Sequence, residues 1–276
     1  MRSIEPRSRR VFLADFGKVV VGMAVLGACS DGEADPTTTA VSPSSSTTSA
    51  SSTTQATTTQ PPETSATTTE APTSTEALAG SAAAWERVDL GNVSAYVVVR
   101  AGEAVVVDTG NPGSEAAIGD TIQALGLVWD DVAHLILTHR HPDHIGSTDA
   151  VMALAAGATA YAGAEDIPSI NAPREIVVVG DSDIVSGLEI IETPGHTPGH
   201  ISVLDTELSL LIAGDAMNGA DGGVVGPNPR FTSDLEIANA SVVKMAGFQF
   251  DTVVFGHGEP VIAGAADLVR ALAAEL

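Results

Sequence analysis

A run of metal-binding residue types follows an apolar segment near the middle of the 276-residue chain. Residues 138–144 read Thr-His-Arg-His-Pro-Asp-His, so three histidines and one aspartate occupy six consecutive positions. Alternate residues of an extended segment project to one side, which places His139, His141 and Asp143 together. A turn into the following helix would bring His144 toward a neighbouring site. Because such polar clusters rarely stand unpaired beside a buried strand, the spacing predicts a metal site.

Three further segments place ligand-type residues beside glycine at the ends of apolar runs. They are 193–200 with His196, 213–215 with Asp215 and 255–258 with His257. Glycine permits the tight backbone geometry and close approach that a metal cleft between loops requires. The only cysteine of the chain is Cys29, which leaves histidine and carboxylate as the predicted ligands of the domain.

The elements that must position these residues are predicted from hydrophobic periodicity. From Trp85 onward, short apolar runs alternate with Ala-rich amphipathic stretches, which predicts a mixed α/β architecture. The predicted strands are 95–100, 104–108, 134–138, 159–162, 175–179, 188–193, 201–204, 208–213 and 252–255. The predicted helices are 114–125, 144–155, 233–246 and 265–275. Each ligand group follows a predicted strand, where a sheet edge can present side chains to a common cleft.

The order of these motifs resembles that of the metallo-β-lactamase superfamily, whose pattern is His-x-His-x-Asp-His followed by His, Asp and His. The resemblance covers the chain from about Trp85 to the C-terminus and implies a four-layer αββα sandwich, as a single α/β domain over residues 81–276. The implied ligands of the first metal ion are His139, His141 and His196. The implied ligands of the second are Asp143, His144 and His257, with Asp215 bridging. Asp108 matches the first acidic motif of the family and is expected behind the ligands.

The predicted chemistry is metal-dependent hydrolysis. Two divalent cations about 3.5–4 Å apart share a water whose pKa falls to about 7, and the resulting hydroxide attacks a carbonyl or phosphoryl centre. Asp143 is the predicted catalytic residue, since it can both ligate a metal ion and relay a proton. The ligand set suits two zinc ions, and iron or manganese also accept it. A small ester, thioester or lactone is the expected substrate.

Comparison with branches of the superfamily narrows the function. Relatives that hydrolyse β-lactams usually lack a carboxylate at the position of Asp215, so its presence disfavours a β-lactamase. Glyoxalase II enzymes carry a helical glutathione-binding domain after the last histidine of the motif, whereas nineteen residues follow His257 in this sequence, which disfavours that branch. Segment 193–200 resembles quorum-quenching lactonases, but those enzymes use a late tyrosine and the last one here is Tyr161. Two alternatives stay open: an enzyme resembling mononuclear-iron persulfide dioxygenases, and a non-catalytic surface lipoprotein that retains the fold.

Several nearby residues have two interpretations each. His200 either orients a ligand imidazole or simply begins a strand. His134 is expected to be structural, and Arg140 to shape the backbone unless it faces the cleft. Segment 218–230 is predicted as a loop over the cleft, where Arg230 could meet an anionic substrate, or as a solvated connector.

The first 80 residues differ in composition from the rest. Residues 1–29 have a basic start and a short apolar run, which is the layout of an export signal. Arg9-Arg10 resembles the twin-arginine pattern, with Sec export as the alternative, and Leu26-Gly27-Ala28-Cys29 resembles a bacterial lipobox. Residues 30–80, rich in Ser, Thr and Pro, are predicted to be a disordered linker. We therefore expect an extracytoplasmic lipoprotein, anchored to the cell membrane through Cys29.

The charge of the chain restricts its partners. Removal of residues 1–29 takes away five of 12 basic and two of 35 acidic residues, which leaves 7 and 33. An acidic surface of this kind repels phosphate backbones. Nucleic acid is therefore not an expected partner, and a small-molecule substrate is.

Overall fold

The computed structural model describes residues 83–276; the predicted signal peptide (1–29), with Cys29, and the predicted linker (30–80) lie outside the described residues. The strands are β1 (Ala84–Asp89), β2 (Ser94–Arg100), β3 (Glu103–Val107), β4 (Val132–Leu137), β5 (Thr159–Gly163), β6 (Ile176–Val179), β7 (Ile184–Val185), β8 (Leu188–Glu192), β9 (Ile201–Asp205), β10 (Leu210–Ile212), β11 (Asn218–Ala220), β12 (Gly223–Val225) and β13 (Thr252–Val254). The α-helices are α1 (Glu115–Ala124), α2 (Pro142–Ile145), α3 (Thr148–Leu154), α4 (Leu235–Met245) and α5 (Ala265–Ala273). Two 3-10 turns cover Trp129–Asp131 and Ile167–Ser169.

The strands form two large sheets and one small ribbon. The first sheet has the order β1-β2-β3-β4-β5-β6, the second β13-β10-β9-β8-β7, and β11 pairs with β12. Strands β3 to β6 are parallel, as are β10 and β13. Parallel neighbours require crossover connections, which α1 supplies between β3 and β4 and α2 with α3 supplies between β4 and β5. The carboxyl ends of the parallel strands therefore meet at one edge of each sheet.

Three hydrophobic cores separate four layers. Side chains alternate along a strand, so neighbouring residues of β4 enter different cores. Ile136 packs in the core between the two sheets with Ile190 of β8, and Leu137 packs in the core that helices α1 and α3 share with the first sheet. On the second sheet, Val254 joins the inner core and Val253 joins a third core with α4 and α5. Residues 95–99 are all buried, as expected for a strand covered on both faces. The layers are thus helices, sheet, sheet and helices.

The helix predicted over 144–155 is wrong as a single element. It is divided into α2 and α3 at Gly146 and Ser147, which bind the loop at 110–112. Gly146 N donates to Gly110 O at 2.8 Å, and Ser147 Oγ donates to Asn111 O at 2.7 Å. This docking of a distant loop interrupts the helical hydrogen bonds, and local periodicity does not reveal it.

The loop predicted over 218–230 begins as a hairpin. Strands β11 and β12 are joined by Asp221 and Gly222, which both have positive φ angles, of 51° and 75°. Asp-Gly at a two-residue hairpin turn is a recognised sequence signal, so this hairpin could have been predicted. Each of the nine predicted strands overlaps an observed one, whereas the half-exposed β1 and the two-residue β7 were not predicted. In residues 83–276, no helix combines the length and apolar character needed to cross a bilayer.

Candidate metal centre

The seven predicted ligands converge at one edge of the sandwich. Each follows the carboxyl end of a strand, and each side of the site comes from a different sheet. The ligand-type residues after β4 are His139, His141, Asp143 and His144. Those supplied by the second sheet are His196 after β8, Asp215 after β10 and His257 after β13.

The first cluster comprises His139, His141, His196 and Asp215, with one ligand atom of each residue within 4.8 Å of the others. His141 Nδ1 lies 3.1 Å from His139 Nε2 and 2.9 Å from His196 Nε2. Asp215 Oδ2 lies 3.3 Å from His196 Nε2 and 4.0 Å from His139 Nε2. Three imidazole nitrogens and one carboxylate oxygen therefore face a common point.

The second cluster comprises Asp143, His144 and His257, again with ligand atoms within 4.8 Å of one another. His257 Nε2 lies 3.4 Å from Asp143 Oδ2 and 3.3 Å from Asp215 Oδ2. Asp215 Oδ1 lies 3.3 Å from His144 Nε2. Asp215 thus lies between the two clusters, with one oxygen toward His144 and the other toward His196 and His257.

Asp108 determines which ring nitrogen of His139 and of His144 is protonated, through contacts on the side of each ring that faces away from the site. Its buried carboxylate, which can only accept, lies 2.8 Å from His144 Nδ1 and accepts from Thr138 Oγ1 at 2.7 Å. Since the Thr138 hydroxyl proton points at Asp108, its oxygen accepts from His139 Nδ1 at 3.0 Å. Both Nδ1 atoms then carry protons, and the Nε2 atoms of His139 and His144 face the site as the atoms available to a metal ion. Asp108 therefore occupies the supporting position that the resemblance implied.

Other framework groups orient the imidazoles of His196 and His257 in the same way. His257 Nδ1 donates to the carbonyl of Asn92. Thr232 Oγ1 donates to the Asn228 carbonyl at 2.8 Å and so accepts from His196 Nδ1 at 3.3 Å. Both histidines consequently direct Nε2 into the site.

His200 supports a carboxylate rather than an imidazole. Its Nε2 accepts from the backbone N–H of Asp215 at 3.0 Å, and its Nδ1 donates to Thr193 Oγ1 at 2.8 Å. Thr193 Oγ1 lies 2.9 Å from Ser202 Oγ, which donates to the Ala213 carbonyl. This chain of hydrogen bonds fixes His200 as a neutral acceptor and thereby the backbone of Asp215. The expectation that His200 orients a ligand imidazole is wrong in its target, since the group it holds is Asp215.

The donor set fits metal ions. His144 Nε2 and Asp215 Oδ1 are buried at 3.3 Å from each other, and neither has a hydrogen-bond partner. A buried polar atom without a partner costs about 1–3 kcal/mol, so this pair of atoms calls for a cation between them. A metal ion would take that place, and in the metal-free protein the raised pKa of His144 lets a proton take it. The fold and the two clusters together imply a bound metal ion.

The metal-free electrostatics differ between the clusters. Burial lowers the pKa of His139 well below its ordinary value and that of His196 to about 4, so these rings are neutral. Hydrogen bonds to Asp143 and Asp215 raise the pKa of His257 to about 10. Burial opposes protonation of His144, but the charges of Asp215 and Asp108 outweigh it and raise that pKa to about 10. A metal ion entering the second cluster must therefore displace protons.

Two glycines make room for Asp215 and for His200, which holds its backbone. A Cβ on Gly256 would lie 2.0 Å from Asp215 Oδ1 and 2.5 Å from His144 Cε1. A Cβ on Gly214, which has φ of 54°, would lie 2.7 Å from His200 Nε2. No larger residue fits at these places without moving the cluster. The close approach predicted for glycines beside the ligands is thus present at both positions.

Comparison with known families agrees with this geometry. The profile of the family described as "Metallo-beta-lactamase superfamily" matches residues 88–257, which span β1 to the last histidine of the site. The chain belongs to the metallo-beta-lactamase superfamily. This membership and the four layers confirm the predicted αββα sandwich.

Relatives in the superfamily cover different shares of their own lengths. Uncharacterized protein YobT of Bacillus subtilis (strain 168) is 31% identical over 60% of this chain and 83% of its own. Thioesterase pkgB of Emericella nidulans is 27% identical over 63% of this chain and 48% of its own. N-acyl homoserine lactonase of a Bacillus species is 29% identical over 52% of this chain and 62% of its own. A solved metallo-beta-lactamase family protein from Thermus thermophilus has a TM-score of 0.54 and 26% identity, over 66% of this chain and 74% of its own.

The remaining predicted residues lie away from the reacting centre. His134 is half-buried, 3.2 Å from the Tyr161 hydroxyl, and neither residue is among those that line the cleft. The Arg140 guanidinium lies 3.5 Å from buried Asp166 rather than over the ligands. Arg230 is exposed, with its guanidinium 5.4 Å from the centre of the Phe231 ring, and is not among the residues that line the cleft. No lysine or arginine of the described residues is among those that line the cleft.

The two donor clusters open into a cleft of about 550 Å³. Four cluster residues form its floor, and the other lining residues are Asn92, Pro142, Asn218, Asn228 and Phe231. The walls therefore carry three amide side chains and an aromatic ring that is 57% exposed. Thr232 and Asn92 were missed as supporting residues because single threonine and asparagine residues in loops carry no distinctive sequence signal.

Proposed function

We propose that the protein is a metallo-hydrolase that uses two zinc ions to cleave a small ester, thioester or lactone. The observation that carries this proposal is the arrangement of two adjoining donor clusters around Asp215 at the base of an open cleft. Each cluster has at least three donors, as a metal site that keeps an open position for substrate requires. The thioesterase and lactonase relatives support the substrate class.

The identity of the metal is proposed from the donors. All are imidazole or carboxylate, and zinc accepts both with flexible geometry. His139, His141, His196 and Asp215 would hold one ion, and Asp143, His144, His257 and Asp215 the other. Divalent ions bound there polarise a substrate carbonyl and lower the pKa of water to about 7.

The two carboxylates have different roles in the proposal. The side chain of Asp215 is 7% exposed and enclosed by histidines, so it holds the clusters together. The side chain of Asp143 is 31% exposed and lines the cleft, within reach of solvent. Asp143 would accept a proton from the attacking water and transfer it to the leaving group.

The walls of the cleft favour an uncharged substrate with an apolar arm. No lysine or arginine of the described residues lines the cleft, so an anionic group has no side-chain cation to pair with. Asn92, Asn218 and Asn228 can hydrogen-bond a carbonyl or amide. The exposed Phe231 ring offers apolar contact to an acyl chain.

The test combines metal analysis with hydrolysis. Purified chain, prepared metal-free and then loaded with zinc, would be assayed on neutral esters, thioesters and lactones. We expect two zinc ions per chain and hydrolysis that His141→Ala abolishes. His134→Ala is the matched control, since it removes a half-buried histidine outside the site, and its activity should match wild type. Equal hydrolysis by His141→Ala would refute the metal-dependent enzyme. Protein that carries one iron per chain as purified, before metal removal, and consumes oxygen on persulfides would refute the hydrolase.

We also propose that the chain is exported and anchored to the cell membrane through acylated Cys29. This proposal rests on the basic start, the apolar run and the lipobox-like Leu26-Gly27-Ala28-Cys29. Cys29→Ser should move the protein from the membrane fraction to the soluble extracytoplasmic fraction. Unchanged membrane association of Cys29→Ser would refute the anchor.

A further inference from the structure

Asp166 is a fully buried carboxylate outside the ligand motifs. It lies just after β5, at the start of the 3-10 turn Ile167–Ser169, and none of its surface is exposed to solvent. A buried carboxylate is costly unless several donors surround it. The identity of those donors shows what this residue holds.

Four donors from two loops surround Asp166. Its Oδ2 accepts from Arg140 N at 3.0 Å and from Thr197 Oγ1 at 2.5 Å. Its Oδ1 accepts from Gly199 N at 3.0 Å and lies 3.5 Å from the Arg140 guanidinium. The carboxylate therefore joins segment 139–141 to segment 196–200.

These two segments carry the three histidines of the first cluster. Arg140 stands between His139 and His141, and Thr197 is the neighbour of His196. The first segment follows β4 of the first sheet, and the second follows β8 of the second sheet. Asp166 thus connects the two sheets at the point where their ligands must meet.

Close backbone packing accompanies this connection. A Cβ on Gly199 would lie 2.4 Å from Asp166 N, and a Cβ on Gly163 would lie 2.1 Å from Gly199 O. The turn at 163–166 is consequently in direct backbone contact with the loop that carries His196. By contrast, the hydrogen bonds of Asp166 involve neither Asp143, His144 nor His257.

We propose that Asp166 is a positioning residue specific to the first metal site. By joining the two loops it sets the spacing of His139, His141 and His196, whereas His144 and His257 of the second cluster are held by Asp108 and by the Asn92 carbonyl. This inference rests on the proposed two-zinc function. It predicts that loss of the carboxylate weakens one zinc site and leaves the other intact.

The experiment is calorimetric titration of the metal-free full chain with zinc. In Asp166→Asn, one amide N–H must face the donors of Arg140 or Gly199, so the loops separate. We expect affinity at one site to fall about 10- to 100-fold, the range for supporting residues of metal ligands, with the other site changed less than about twofold. The Asp166→Asn titration should resemble that of His196→Ala and differ from that of His257→Ala.

Asp205→Asn is the matched control. Asp205 is equally buried and paired with Arg100, but it lies at the end of β9 far from His200, so both zinc affinities should match wild type. Equal weakening of both sites, or of neither, in Asp166→Asn would overturn the inference. If that variant fails to fold, Thr197→Val removes one bond to Asp166 and should weaken the same single site. Wild-type chain that binds no zinc would overturn the proposed function itself.

Discussion

Replacement of Asp108 by asparagine tests how far the framework, rather than the ligands, determines metal binding. The carboxylate accepts three hydrogen bonds, from Thr138 N at 2.7 Å, Thr138 Oγ1 at 2.7 Å and His144 Nδ1 at 2.8 Å. An amide has one acceptor oxygen, so in either orientation its N–H₂ group faces a buried donor. Asparagine tolerates the φ of 63° at this position as aspartate does, so backbone strain does not confound the comparison.

The magnitude follows from the number of bonds lost. If the amide oxygen keeps the bond to His144, the N–H of Thr138 is unpaired, and metal-free stability falls by about 1–3 kcal/mol. If the amide turns, His144 loses the acceptor that fixes its tautomer, and zinc affinity falls about 10- to 100-fold. Urea unfolding of the metal-free protein measures the first effect, and zinc calorimetry measures the second. Wild-type values in both measurements would refute the role of Asp108 described above.

Three further predictions follow from the site. In the metal-free protein, the pKa values of His144 and His257 are raised from 6.5 to about 10. Their ion pairs therefore stabilise the fold fully below about pH 6.5, and this stabilisation is lost as the pH rises toward 10. Urea unfolding at pH 6.5 and at pH 10 measures the difference, and equal free energies of unfolding at the two pH values would contradict the prediction. Gly256→Ala should displace Asp215 and reduce zinc binding at both sites, whereas Gly157→Ala, where an added Cβ meets nothing within 4 Å, should not. Phe231→Ala should raise KM about tenfold for long-chain acyl esters, because the lost apolar contact is worth about 1–2 kcal/mol. The KM for acetyl esters should be unchanged. An equal rise in KM for both ester classes would show that Phe231 does not contact the acyl chain.

The sequence predicts the ligand residues of the site better than it predicts the residues that position them. His139, His141 and Asp143 are recognisable because ligand types at alternating positions beside a strand are rare, and the structure brings them together with the distant His196 and His257. Membership of the superfamily could also be predicted, since it depends on the order and types of those residues.

The supporting residues depend on contacts across long separations. Asp166 is 26 residues from Arg140 and 33 from Gly199, and only the folded arrangement of the loops shows that its carboxylate lies between them. The division of the predicted helix at Gly146 has the same origin, since the loop that interrupts it is distant in sequence. The Asp221-Gly222 turn differs, because its signal is local and could have been recognised.

The division of the ligands between two sheets has a consequence for how the protein acquires its metal. Neither sheet alone supplies three donors to the first cluster, since His139 and His141 follow one sheet and His196 and Asp215 follow the other. A metal ion therefore has no complete first site until the two sheets have docked, and we predict that it binds after the main folding barrier. A ligand that engages so late should leave the folding rate nearly unchanged and slow unfolding instead. The bound metal would then determine the unfolding rate of the folded protein as well as its chemistry.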